Sequence, residues 1–164
     1  MRDADEISVG IGEMHMRANT HSVLIAPNLG SCLGVAVYDN VKQTGALMHC
    51  LVPSARNTSD KGVSDPYRYV DVGMAKLIQT FLNDGSKKTD LTIVAVGCAS
   101  MNDSNGTFEI GKKNFTIFRK ILWKNNLLLK AHDVGGEMAR TLTLKMASGE
   151  IWLKKQGEHS KLYG

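Results

Sequence analysis

The run Leu33-Gly34-Val35-Ala36-Val37-Tyr38 is closed by the turn-prone pair Asp39-Asn40 and followed, from Gly45 to Val52, by a second apolar run that Pro53 stops. No other segment constrains the fold as strongly. Two β-rich runs this close in sequence pair antiparallel, and such a pair must bury at least one face against another layer. Shorter strand-like runs recur at Ile7 to Ile11, Val23 to Ala26, Leu91 to Val96 and Leu127 to Ala131, and Thr141 to Met146 with Ile151 to Lys154 reads as a further hairpin. Only two segments have helical periodicity. Val70, Met74, Leu77, Ile78 and Phe81 share one face of a helix that Asp65-Pro66 opens and Asn83-Asp84-Gly85 ends. Phe115, Phe118, Ile121 and Leu122 form the inner stripe of a second helix over Lys112 to Asn125, with Lys113, Lys120 and Lys124 on its wet side. The expected fold class is α/β, with layered, sandwich-like, mostly antiparallel sheets and flanking helices.

No linker, repeat or low-complexity tract divides the 164 residues, and 43% hydrophobic content is enough for a real core, so residues 1–164 are expected to form one domain. Cys32, Cys50 and Cys98 are odd in number and widely spaced, which excludes a secreted disulfide framework and predicts free thiols. Asp3, Asp5 and Glu6 stand where a signal peptide needs positive charge, and no window reaches the roughly 18 apolar residues of a membrane span. A cytoplasmic protein without direct membrane insertion is expected. Residues 1–82 carry 7 Lys and Arg against 8 Asp and Glu, whereas residues 83–164 carry 13 against 8. The basic C-terminal half suits an acidic partner surface. Nucleic acid is not expected, because Lys112-Lys113 and Arg119-Lys120 lack supporting motifs and read as a solvated helix face. Trp123 and Trp152 are expected in or near the core.

A candidate site follows from the hairpin. If Tyr38 faces Gln43 across a loop from Asp39 to Lys42, counting outward sets Cys32 opposite His49 on one face, an imidazole within reach of a thiol. Gly34 and Ala36 on that face, with Gly45 opposite Ala36, are expected to leave open space beside the pair. The arrangement suits a cysteine nucleophile and its base, and Gly30 and Ser31 beside Cys32 could supply amide N–H groups to a developing oxyanion. Cys50 neighbours His49 in a strand and so points to the other face, as a core thiol. Gly10-Ile11-Gly12 lacks the remainder of a dinucleotide loop, and His15 and His21, in a predicted loop, match no zinc spacing. Neither metal nor cofactor is expected.

Leu29-Gly30-Ser31-Cys32, with His49 seventeen positions on and Leu51-Val52-Pro53 behind it, resembles the chemoreceptor glutamine deamidase family, CheD. Tyr69-Val70-Asp71, Gly97-Cys98-Ala99-Ser100-Met101, Ile110-Gly111-Lys112-Lys113-Asn114, Asp133-Val134-Gly135-Gly136 and Ala139-Arg140 agree in order over nearly the whole chain. The resemblance implies a fold related to glutamine-deamidating toxin domains. It implies hydrolysis of receptor glutamines to glutamates with release of ammonia, Cys32 as nucleophile, His49 as base, and a CheC-type phosphatase as partner. The family usually has a threonine six residues before the cysteine; here that residue is Ala26. The alternative expectation is therefore a catalytically weakened or inactive adaptor that binds and regulates a CheC-type phosphatase of phosphorylated CheY. Thr20, Ser22 and Asn28 are the candidates to replace the missing hydroxyl. Cys98 departs from a usual glycine, and with Ala26, Asn28, Ser100 and Met101 it is expected to border the site.

Overall fold

The computed structural model describes residues 5–100 and 109–164. Ten strands and two helices follow in the order β1 (Glu6–Ser8), β2 (Met14–Ala18), β3 (Val23–Leu29), β4 (Leu33–Asp39), β5 (Thr44–Cys50), α1 (Val70–Asn83), β6 (Leu91–Gly97), α2 (Ile110–Lys124), β7 (Ala131–Val134), β8 (Arg140–Lys145), β9 (Ile151–Lys155) and β10 (Glu158–Tyr163). They form two five-stranded sheets, ordered β1-β3-β8-β9-β10 and β2-β5-β4-β6-β7. Pairing is antiparallel except between β1 and β3 and between β6 and β7, so both sheets are mixed. The expected α/β class with layered, mostly antiparallel sheets is the fold observed.

Alternation along β4 and β5 divides the molecule into layers. Leu33, Val35, Val37, Ala46, Met48 and Cys50 point toward α1 and α2, where they meet Met74, Phe81 and Phe118. Ala36, Tyr38 and Leu47 point the other way, into a core shared with Leu24, Leu142 and Leu144 of the first sheet. All seven residues of β4 are buried, as a central strand covered on both faces must be.

Several elements depart from the sequence reading. Asp65-Pro66 opens a 3-10 turn, Pro66–Arg68, and α1 starts only at Val70. β10 carries too few apolar residues to be visible as a strand, whereas β2 alternates Met14, Met16 and Ala18 with His15 and Arg17 in a short strand pattern; His15, expected in a loop, lies in β2. Leu127 begins no strand. Asn126 takes a left-handed φ of 56°, and the Leu127 and Asn126 N–H groups bond back to Leu122 O (2.9 Å) and Trp123 O (3.3 Å). This is a Schellman closure, in which Leu127 packs beside Leu122 to finish α2, and β7 starts at Ala131. Trp123, one position around the helix from buried Leu122, is 79% exposed rather than in the core.

Candidate active site

Cys32 lies in the crossover of residues 30–32 that takes the chain from β3 in the first sheet to β4 in the second. A β-bulge at Pro27 and Asn28 shifts the β3–β8 register between Ala26 and Leu29, and Asn28 adopts a φ of 53°. Each carbonyl of the crossover is held from outside. Gly30 O accepts from the Ala99 N–H and Cys32 O from the Cys98 N–H, both at 2.8 Å, and Ser31 O accepts from Asn114 Nδ2 at 3.0 Å. Because a trans peptide sets each N–H opposite the preceding carbonyl, these bonds also fix where the Ser31 and Cys32 amides point. Close approach of β6 depends on Gly97: its φ is 110°, and a Cβ there would lie 2.3 Å from Cys32 O.

The hairpin register differs from expectation by one step on each strand. Asp39 pairs with Thr44, and Gly34, not Cys32, lies opposite His49. The cause is the turn: the Asp39 carboxylate accepts from the N–H groups of Val41 (2.9 Å) and Lys42 (3.0 Å) and from Ser86 Oγ (2.5 Å), and Gln43 takes a φ of 53°. Asp39 thereby becomes the last strand residue instead of the first loop residue. Cys32, one residue before Leu33, sits diagonal to His49 on the face between the sheets, a placement that typically separates Cα atoms by about 7–8 Å. The expected open space is filled. A Cβ on Gly34 would meet Leu29 Cδ1 at 2.6 Å, and Gly45 faces Tyr38, not Ala36, against Met146.

His49 is 2% exposed and is strapped by residues 9–13, a second crossover between the sheets. Its N–H donates to Glu13 O (3.1 Å), its carbonyl accepts from the Gly12 N–H (2.8 Å), and its ring Nδ1 lies 3.0 Å from Val9 O. A carbonyl can only accept, so Nδ1 carries the proton and a neutral ring leaves Nε2 as the basic lone pair. Among the described residues Nε2 is buried with no partner. Burial holds the imidazole below its ordinary pKa, opposed by the Val9 bond and the Glu13 carboxylate. Burial likewise raises the Cys32 thiol, against a smaller pull from its own backbone N–H. Both shifts disfavour the charged forms, a thiolate at Cys32 and an imidazolium at His49.

The other expected residues separate. Cys50 faces the helices, fully buried, with its pKa pushed well above the ordinary range, as expected of a core thiol. Cys98 is also buried toward the helices, and burial pushes it up to about 12, countered in part by Arg140. Ala26 is fully buried opposite Leu142. Exposed Asn28 belongs to the bulge, and Ser100 donates its N–H to Gly136 O at 2.8 Å. Thr20 and Ser22 stand at the far end of β3 from the crossover, so neither takes the place of the missing hydroxyl; the partner of Nδ1 is the Val9 carbonyl. Met101 lies outside the described residues.

Two contributors went unread as such in the sequence. Fully buried Asn114 donates through Nδ2 to both Ser31 O and Leu51 O (3.1 Å), tying the cysteine crossover to the segment just beyond His49. Its position on the inner stripe with Gly111, Phe118 and Leu122 was the available signal, a polar residue where apolar ones belong. Arg140, 5% exposed, bonds Asp133 Oδ1 (2.7 Å) and Gly97 O (3.2 Å), bracing the end of β6 beside Cys98.

The family model described as CheD chemotactic sensory transduction matches residues 51–155. Curated relatives named "Probable chemoreceptor glutamine deamidase CheD" include one from Solibacter usitatus, 35% identical over 96% of this chain and 94% of its own length. One from Thermococcus kodakarensis is 33% identical over 92% of each, and one from Clostridium botulinum 30% identical over 97% and 98%.

Proposed function

Since this chain belongs to the CheD family, we propose that it deamidates glutamine side chains of methyl-accepting chemoreceptors, with Cys32 as nucleophile and His49 as base. One observation carries the reading: His49 Nε2 is buried and unpartnered among the described residues, on the inter-sheet face it shares with Cys32, while Val9 holds Nδ1. A base kept in one tautomer with its acceptor nitrogen free is what a protonated thiol requires.

In the proposed cycle His49 Nε2 takes the thiol proton as Cys32 Sγ attacks the glutamine carboxamide carbon. The oxygen of the tetrahedral adduct is met by amide N–H groups of the crossover around Ser31 and Cys32, whose directions the anchored carbonyls set. His49 then passes the proton to the nitrogen, ammonia leaves, and a thioester to Cys32 remains. Water, deprotonated by His49, attacks the thioester; the product carboxylate leaves and the proton returns to sulfur. The net reaction is carboxamide plus water to carboxylate plus ammonium.

Incubation with a receptor cytoplasmic fragment should add about 1 Da per converted glutamine, and Cys32→Ala should abolish the gain. An equal gain with Cys32→Ala would remove the cysteine mechanism. The resemblance also makes a CheC-type phosphatase a proposed partner, and Cys32→Ala is the form in which to measure that binding apart from turnover.

A further inference from the structure

Two cavities follow one another along the same side of α2, between that helix and β7. The first, of about 360 Å³, is lined by Cys98, Lys112 and Val134 among others, on the helix side of the second sheet; Cys32 and His49 lie toward its other face, and the link to them is the Cys98 N–H, the donor that holds Cys32 O. The second, of about 340 Å³, is walled by Arg119, Trp123 and Leu128, with His132 from β7. Phe115 joins them. Its ring lies 5.6 Å from that of His132 and 5.8 Å from the Arg119 guanidinium. From Lys112 to Trp123 the helix rises about 16 Å, enough to meet several residues of a bound chain.

The trough has two marks of a recognition surface. Trp123 is 79% and Leu128 70% exposed, large apolar groups on rigid backbone at the end remote from Cys32. Lys112 and Arg119 line the trough, and the sequence around them from residue 110 to 132 adds Lys113, Lys120, Lys124 and Lys130, with Glu109 at the helix N-cap as the acidic residue before them. The nearby Asp133 is already committed to Arg140 and Lys155. A second copy of this chain would bring like charges together across the contact, and a concave trough fits an inserted side chain better than a flat lipid surface.

We propose that this trough docks an acidic stretch of the protein substrate, its carboxylates meeting Lys112 and Arg119 and a bulky apolar residue seated against Trp123 and Leu128. The proposal rests on the deamidase reading and deepens it. Recognition is spread over a surface apart from the reacting groups, so substrate selection depends on sequence remote from the reacting glutamine.

Binding is measured first in the Cys32→Ala protein, by titrating a labelled receptor cytoplasmic fragment, so that failure of docking and failure of chemistry are read separately. Arg119→Glu and Trp123→Ala should each raise Kd about tenfold, with the Arg119 effect shrinking at high salt. Lys154→Glu, an equal charge change on exposed β9, should change it less than about twofold. In the active protein the same variants should raise KM for the fragment with kcat kept, and hydrolyse a short glutamine peptide without carboxylates as before. Unchanged fragment binding by both variants overturns the proposal. So does finding that Trp123→Ala abolishes self-association, or binding to phosphatidylglycerol vesicles, while fragment affinity stays the same. Retained docking without any mass gain overturns the deamidase reading alone.

Discussion

Ala26→Thr tests whether the missing hydroxyl matters to catalysis. Ala26 is fully buried between the sheets opposite Leu142, so threonine adds a methyl and a hydroxyl where no side chain is exposed. Overpacking of that size costs about 1–3 kcal/mol, which for a chain of this length lowers Tm by about 2–12 °C. The catalytic side is different. The role a threonine would play, fixing the imidazole through Nδ1, is filled by Val9 O at 3.0 Å, and that carbonyl belongs to backbone the substitution does not alter. We expect kcat within about twofold of the unaltered enzyme, since a tenfold change would need about 1.4 kcal/mol of new transition-state stabilisation. The assay is the initial rate of ammonia release from a receptor fragment, with thermal unfolding on the same samples and Cys32→Ala as blank. A rise in kcat of tenfold or more would refute the reasoning: the Val9 carbonyl would then not be what orients His49, and the unaltered protein would be a weakened enzyme.

Asn114→Ala removes the shared donor of Ser31 O and Leu51 O. It should cost about 1–3 kcal/mol in unfolding experiments and lower kcat more than it raises KM, because the cysteine crossover loses its anchor to α2; equal effects on both constants would point to substrate binding instead. The folded His49 pKa lies below the unfolded value, so the unfolded chain binds the extra proton and stability should be full above pH 6.5 and decline as pH falls below it. Urea unfolding between pH 7.5 and 5 should show this decline, and His49→Asn should flatten it. Iodoacetamide should label Cys32 alone in the folded protein, at a rate that climbs above the ordinary thiol range, because burial raises all three thiols and Cys50 and Cys98 the most. A rate already at its plateau at neutral pH would mean a resting thiolate–imidazolium pair and contradict the neutral one.

The parts of the fold legible in the sequence are those with strong periodicity. The continuous apolar runs of β4, β5 and β6 report strands covered on both faces and the stripes of α1 and α2 report one buried face each, and that burial is what the structure contains. The Asp39 turn was less legible, since its side chain adds two hydrogen bonds that strand propensity does not encode, and one step of register followed from them. The strand expected over Leu127 to Ala131 begins only at its last residue, because Leu127 belongs to a Schellman closure, which also places a leucine in contact with the helix it ends. Spacing put Cys32 and His49 on one face of the sheet but directly opposite each other, whereas Gly34 is the residue opposite His49 and Cys32 lies just before the hairpin strand. Val9 could not be found that way: its contribution is a carbonyl, which every residue carries, and only the chain path brings it to the ring.

That path accounts for where the proposed chemistry would sit. The chain passes between the two sheets four times; the crossing at residues 19–22 lies at the far end of β3, and the other three, at residues 9–13, at residues 30–32 and between β7 and β8, have contacts that converge. Of these three, the first straps His49 and presents Val9 O; the second carries Cys32; the third leads into Arg140, which braces Gly97 beneath Cys32 O, and holds Gly136, which accepts from Ser100. Within either sheet, backbone N–H and C=O groups are consumed by the ladders, whereas crossover peptides are free to be aimed at side chains. A site needing one carbonyl for an imidazole and several amides for an oxyanion can therefore be assembled where strands change sheets. On this view the loss of one side-chain hydroxyl at residue 26 is tolerable, since the imidazole was oriented by the chain itself.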